Sequence, residues 1–336
     1  MLTPTDFLHL PYPIDLTESG IAYACHSLAC TYDRMGDSPF GKLRHIVSNV
    51  AVDVAFRRYL GDKAVPFHVL GKTPFTRPVR YDISLGGHRC IVKSFLINRH
   101  SQIAQLQREP GSLLQVPALI PVDEFSAENH KPDDMYLFAF LLGGIAATRV
   151  DVDNAIVAGK PIYLVHPLPE AWARPRIWVP VEKLSLKSEC ESPIMIEIGG
   201  QDAGRDFLTV NLELPPRQRK LVEKDFHSLA YIYAKSKPEA RIGIHSPLHG
   251  EPYLISPHEW GNLWIYGMDI FLTGWLSHEQ FRRKARVLNA GARTFQFDRT
   301  RVKNLLVPIS DLNPLGILLE KVRRWEAERS QPNPSS

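Results

Sequence analysis

A Gly-Gly pair between two apolar runs constrains this chain more than any other stretch. Tyr81, Ile83 and Leu85 alternate before Gly86-Gly87, and Cys90-Ile91-Val92 then lead on to Lys93 and Phe95-Leu96-Ile97. The favoured two-residue hairpin turns need positive φ, which glycine adopts without a Cβ penalty. The stretch therefore predicts two antiparallel strands joined by a tight turn. Such a pair needs cover for its apolar faces. Met135 to Leu142 is a continuous apolar run, the pattern of a strand covered on both sides. Between Lys42 and Leu60, Ile46, Val50, Val54 and Leu60 recur at helical spacing. The fold class expected is α/β (α+β): a mixed central sheet flanked by helices.

Further helices are expected over residues 21–35, 101–109, 150–158, 217–235, 277–288 and 315–328. Strands are expected over 69–70, 161–166, 176–179, 195–198, 207–214, 241–245 and 263–270. Ser277 with Gln280 three residues on has the form of a capping box. Gly199-Gly200-Gln201-Asp202-Ala203-Gly204 lacks the Lys-Ser/Thr of a nucleotide-binding loop and reads as a plain turn.

The hairpin holds Asp82 on one strand and Lys93 on its neighbour, where a carboxylate and a lysine can bind a divalent cation and steady an attacking water. A helix, a strand with Asp82, a hairpin, Lys93 on the returning strand, then a helix and a further strand resembles the core of the PD-(D/E)XK nuclease superfamily. The likeness covers roughly residues 40–145. It implies a metal-dependent endonuclease cleaving phosphodiester bonds. In that reading Asp82 is catalytic and binds Mg²⁺, and Lys93 is catalytic in positioning the water or stabilising charge. Ile91 stands where the family has its second acid, a departure that removes one metal ligand. Two other carboxylates are near in sequence. Asp53 lies on the preceding helix and more simply pairs with Arg57 four residues on. Glu109 ends the following helix, where a solvated side chain is the plainer reading. The domain division expected is a nuclease-like core over residues 1–158, a strand-rich region with a basic segment over 159–328, and a disordered tail over 329–336.

Charge supports a nucleic-acid partner through its distribution. Between Glu279 and Lys303 stand Arg282, Arg283, Lys284, Arg286, Arg293, Arg299, Arg301 and Lys303, against only Glu279 and Asp298. The formal net charge of the whole chain is +4, so this one segment more than accounts for the excess. Guanidinium groups pair bidentately with phosphates, and the interleaved Phe281, Phe295 and Phe297 are aromatic surfaces on which bases can stack.

Other chemistries are poorly served. Cys25, Cys30, Cys90 and Cys190 are scattered with no Cys-x-x-Cys pair, as expected of reduced thiols in a cytoplasmic protein. His245, His249 and His258 lie in a loop-rich stretch without helical metal-ligand spacing, and no Gly-x-Ser-x-Gly elbow accompanies His227-Ser228. The start of the chain lacks a secretory pattern, and the apolar run from Met135 to Ala147 is shorter than the ~20 residues that span a bilayer. The partners expected are nucleic acid, DNA before RNA, and a second copy of the chain as a homodimer, with no membrane. Two alternatives stand beside the endonuclease: a non-catalytic nucleic-acid-binding protein, and an interaction or assembly protein with a decayed active site.

Overall fold

The computed structural model describes residues 2–17, 19–21, 39–70, 83–127, 129–146, 148–159, 163–234, 236–262 and 265–330. Two compact units divide the chain: Met1–Gly20, His45–Gly144 and Tyr266–Ser336 form one, Ile21–Arg44 and Ile145–Ile265 the other. The chain thus returns to the first unit at Tyr266 instead of staying in a separate C-terminal region beyond residue 158. The reason is a strand: β16 (Ile265–Ser277) lies in the first unit's sheet, between β1 (Leu8–Pro11) and β6 (Met135–Ile145).

That sheet has six strands in the order β1-β16-β6, then β4 (His88–Ile97), β3 (Ile83–Leu85) and β2 (His68–Val69). It is mixed, as expected. The Gly86-Gly87 turn forms with φ of 58° and 85°, and β3 pairs antiparallel to β4 with Ile83 opposite Cys90. β4 runs parallel to β6, from Cys90 opposite Met135 to Ile97 opposite Leu142. Parallel neighbours need a long crossover. Here it carries α2 (His100–Arg108), β5 (Pro117–Pro121) and α3 (Val122–Phe125).

Side chains alternate across β4. Ser94 faces α1 (Pro39–Asp62), donating its hydroxyl to Asn49 Oδ1 at 2.7 Å. Ile91, Phe95 and Ile97 face the other way, into a core with Tyr136, Phe138 and Phe140 of β6 and Leu106 of α2. Each of these large side chains contributes about 1.5–3 kcal/mol by burial. A three-stranded sheet, β17 (Arg286–Leu288), β18 (Asn304–Pro308) and β5, closes over the same core through Leu119, Ile120 and Val307. The last helix, α7 (Leu315–Ser330), sets Trp325 against the turn, where a Cβ on Gly86 would come within 2.7 Å of its ring.

The second unit is mostly strand. An antiparallel sheet orders β10 (Phe207–Leu214), β9 (Ile194–Gln201), β12 (Ser228–Ala234), β7 (Leu164–Pro167) and β15 (Gly261–Asn262). A second orders β11 (Arg219–Leu221), β8 (Ser185–Ser188), β13 (Ile242–His245) and β14 (Tyr253–Ile255). Both drain into one core that includes Leu186, Ile196, Ile232 and Ile244.

Three local expectations fail here. Residues 217–235 form β11 and β12 instead of a helix, because Ser228 to Ile232 is buried on both faces between β9 and β7 and leaves no polar helix face. Residues 176–179 form no strand; the Trp178 indole donates to the Ala203 carbonyl at 3.0 Å. Gly199 and Gly200 lie inside β9, not in a turn. A Cβ on Gly199 would sit 2.0 Å from the Tyr231 ring, and one on Gly200 would sit 2.0 Å from the Ser228 carbonyl oxygen. These close approaches accompany the irregularity between Leu229 and Tyr231, and the turn itself falls at residues 202–206. In the first unit, the helix expected over 277–288 stops at Lys284 and the chain continues as β17.

Candidate nucleic-acid interface

Lys93 sits in the middle of β4 on the same face as Ile91 and Phe95. Its ammonium is not free: it pairs with Glu124 of α3, with the two side chains 18% and 12% exposed. Ile91, at the position of the family's second acid, is 3% exposed and packs in the core. A carboxylate thus reaches the lysine from a separate element, which the spacing along β4 cannot reveal. Asp82 and Tyr81 lie outside the described residues, as do Cys25, Cys30 and most of the helix expected over 21–35.

The other sequence candidates separate. Asp53 pairs with Arg57 within α1, as the i,i+4 spacing predicts. Burial pushes its carboxyl above the ordinary range against the pull of Arg57. Glu109 caps the C-terminal end of α2 and is exposed.

Glu124 is held from behind by a cluster of buried and half-buried polar side chains. The His130 Nε2 hydrogen bonds to the Glu124 carbonyl at 2.8 Å, and the His130 ring stacks on His278 at 4.6 Å. Tyr136 hydroxyl and His278 Nδ1 are 2.8 Å apart, and the Arg89 Nε donates to Asp134 Oδ1 at 2.8 Å. Asp134 in turn accepts the His278 amide on its carbonyl at 2.7 Å. His278 opens α6 (His278–Lys284), whose Ser277–Gln280 capping box forms as the sequence predicts. The lysine–glutamate pair and the basic helix therefore share one support.

The basic segment follows from α6. All eight of its cationic side chains are exposed. Arg282 and Arg283 both pair with Glu279, and Lys284 donates to the Asp311 carbonyl at 2.6 Å. Among the described residues, Arg286, Arg293, Arg299 and Lys303 have no carboxylate partner. The segment is tied to the elements around Lys93 at several points. The Val122 amide donates to the Lys303 carbonyl at 3.0 Å, and Asn304 pairs with Pro121 across β18 and β5. Gln102 of α2 donates to the Phe295 carbonyl at 2.8 Å, and Arg99 pairs with Asp298. Phe281 is fully buried, while Phe295 and Phe297 pack on the core, with Phe297 edge-on to Phe95 at 6.1 Å. These aromatics anchor the loop and leave its charges pointing outward.

Mg²⁺ draws on several oxygen donors in near-octahedral order at ~2.1 Å. Among the described residues no group of three or more His, Cys, Asp or Glu converges as a metal site, and the carboxylate at Lys93 is engaged by the ammonium. The described donors do not by themselves fit the ion. Among the described residues, no helix is long and apolar enough to cross a membrane. No family model matches the chain, and no curated protein or solved structure matches it either.

Proposed function

We propose that the first unit binds the phosphate backbone of nucleic acid along the segment from Arg282 to Lys303. The observation that carries this reading is the set of four exposed cations without acidic partners, Arg286, Arg293, Arg299 and Lys303, on a loop anchored beside Lys93 and Glu124. Surface cations are ordinarily balanced by nearby acids. A cluster left unbalanced on a rigid support is suited to release counterions from a polyanion. The test is fluorescence anisotropy with labelled duplex DNA at low salt. Removing all four cations should weaken binding by two orders of magnitude or more, because each contributes to the same electrostatic term. Unchanged affinity would remove the reading.

A second reading is Mg²⁺-dependent phosphodiester cleavage at Asp82 and Lys93. One observation favours it: the order helix, three antiparallel strands, helix, parallel strand around Lys93. It predicts nicking of supercoiled plasmid in Mg²⁺ that Asp82→Ala and Lys93→Ala each abolish. Binding without nicking leaves the first reading standing alone.

A further inference from the structure

At the far end of the sheet from β2, the first unit carries a second polar site. A cleft of about 470 Å³ is lined by Pro4, Phe7, His9, Gln107, Pro110, Asp269 and Phe271. It opens on the sheet face that bears Lys93. Phe271 belongs to the core shared with Phe95 and Ile91, and alternation along β16 puts Asp269 on its side. His9 lies directly opposite Phe271 across the β1–β16 ladder and stacks on it at 4.9 Å.

The polar groups converge at one end. Asp269 pairs with His9 Nε2 through Oδ1 and receives only a long 3.4 Å hydrogen bond from Gln107 Nε2 on Oδ2. An ionised carboxylate offers about four lone-pair positions, so acceptor capacity remains, and its side chain is 20% exposed. Among the described residues, no lysine or arginine lines the cleft. It is therefore unsuited to a phosphate and suited to a flat ligand that presents N–H donors. The walls agree: Phe7, the His9 ring and two prolines are flat or apolar surfaces against which a planar ring can lie.

One helix joins this cleft to the basic segment. Gln102 of α2 holds the Phe295 carbonyl and Gln107 of the same helix holds Asp269. Five residue steps separate the two glutamines, an advance of about 7.5 Å at ~1.5 Å each, so one short helix carries a contact to each place. From this arrangement we infer that the cleft receives an unpaired nucleobase bearing an exocyclic amino group, with Asp269 accepting its N–H donors and Gln107 and His9 fixing the carboxylate. The inference rests on the nucleic-acid reading above, and it names single-stranded or locally unpaired substrate as the preferred class.

Guanine, with adjacent ring N–H and amino donors, is the informative probe; thymine has no amino group. Anisotropy with the full chain would compare an oligothymidine with the same strand carrying one guanine. The guanine strand should bind about tenfold tighter, the discrimination of one good two-point base contact. Asp269→Ala should erase that preference, so that the guanine strand and the oligothymidine bind that variant equally. Gln107→Leu, at an exposed helix position, should reduce the preference and serves as the second variant if Asp269→Ala does not fold. Excess guanosine monophosphate should compete away the preference if the base alone is recognised. Equal binding of the two strands, or a preference that survives Asp269→Ala and Gln107→Leu, overturns the cleft as a base site and leaves backbone binding intact. No binding of either strand or of duplex overturns both readings together.

Discussion

Replacing Glu124 with Gln removes one charge from the pair at the centre of the first unit and barely changes its shape. Lys93 would then hold an ammonium that is 18% exposed with no counter-charge among the described residues. Breaking a fully buried pair costs about 3–5 kcal/mol, while an exposed pair is worth less than about 1 kcal/mol. At these exposures the cost falls between, near 2 kcal/mol. The paired apolar change Lys93→Met with Glu124→Leu removes both charges and should recover most of that loss, since desolvating two ions offsets much of their attraction. Urea unfolding read through hydrogen exchange of the β4 amides confines the measurement to the first unit. With a slope of about 2 kcal/mol per molar urea, the single variant should move the midpoint down by roughly 1 M. An unmoved midpoint in Glu124→Gln, or a double variant no better than the single, would refute the claim that this pair is a desolvated structural contact. Duplex affinity should survive the double variant, because the binding cations lie on the basic segment.

Three further outcomes are expected. Burial first, and then the neighbouring His130, hold the His278 imidazole below its ordinary value of 6.5, against the opposing pull of Asp134 and Glu279 and with Arg282 adding to the depression. The unfolded chain then takes up a proton at higher pH than the folded one, so this group's effect on stability is absent above about pH 7 and grows adverse as pH falls below 6.5. His166, lowered by burial in the second unit, acts in the same direction; denaturation midpoints at pH 7.5 and 5.5 should show the drop, and His278→Gln should shrink it. Gly200→Ala places a Cβ 2.0 Å from the Ser228 carbonyl, and should destabilise the second unit by about 1–3 kcal/mol or more, seen as faster proteolysis within residues 145–265. Ser277→Ala loses the bond from the Gln280 amide to the Ser277 hydroxyl, and should lower first-unit stability by about 0.5–2 kcal/mol.

Local chemistry made much of this fold legible. Positive φ at Gly86-Gly87, the continuous run in β6 and the capping box at Ser277 each follow from residues a few positions apart, and each forms as expected. What escaped was set by distant partners. The stretch containing Tyr231 has apolar residues at helical spacing only because it is apolar on both faces, and its strand neighbours β9 and β7 decide the outcome. Gly199 and Gly200 look like turn residues, yet their missing Cβ atoms admit Tyr231 and the β12 backbone. At the candidate site, Lys93 and the basic segment were both visible as residues. Their adjacency was not, since it depends on β18 pairing with β5 across nearly two hundred positions. Glu124 left no signal at all: a carboxylate in a four-residue helix becomes notable only when the fold sets it on Lys93. Asp269 lies between Tyr266 and Trp275 in the sequence, and its partner His9 lies 260 positions away.

The salt dependence of duplex binding bears most directly on the central claim. Four unpartnered cations, Arg286, Arg293, Arg299 and Lys303, predict a slope of log affinity against log salt of about −3.6, or roughly a 150-fold loss between 50 and 200 mM. The variant Arg299→Ala with Lys303→Ala should halve the slope to about −1.8 and so cut the loss from roughly 150-fold to roughly 12-fold. A slope near zero, or one that the double variant leaves unchanged, would contradict the account.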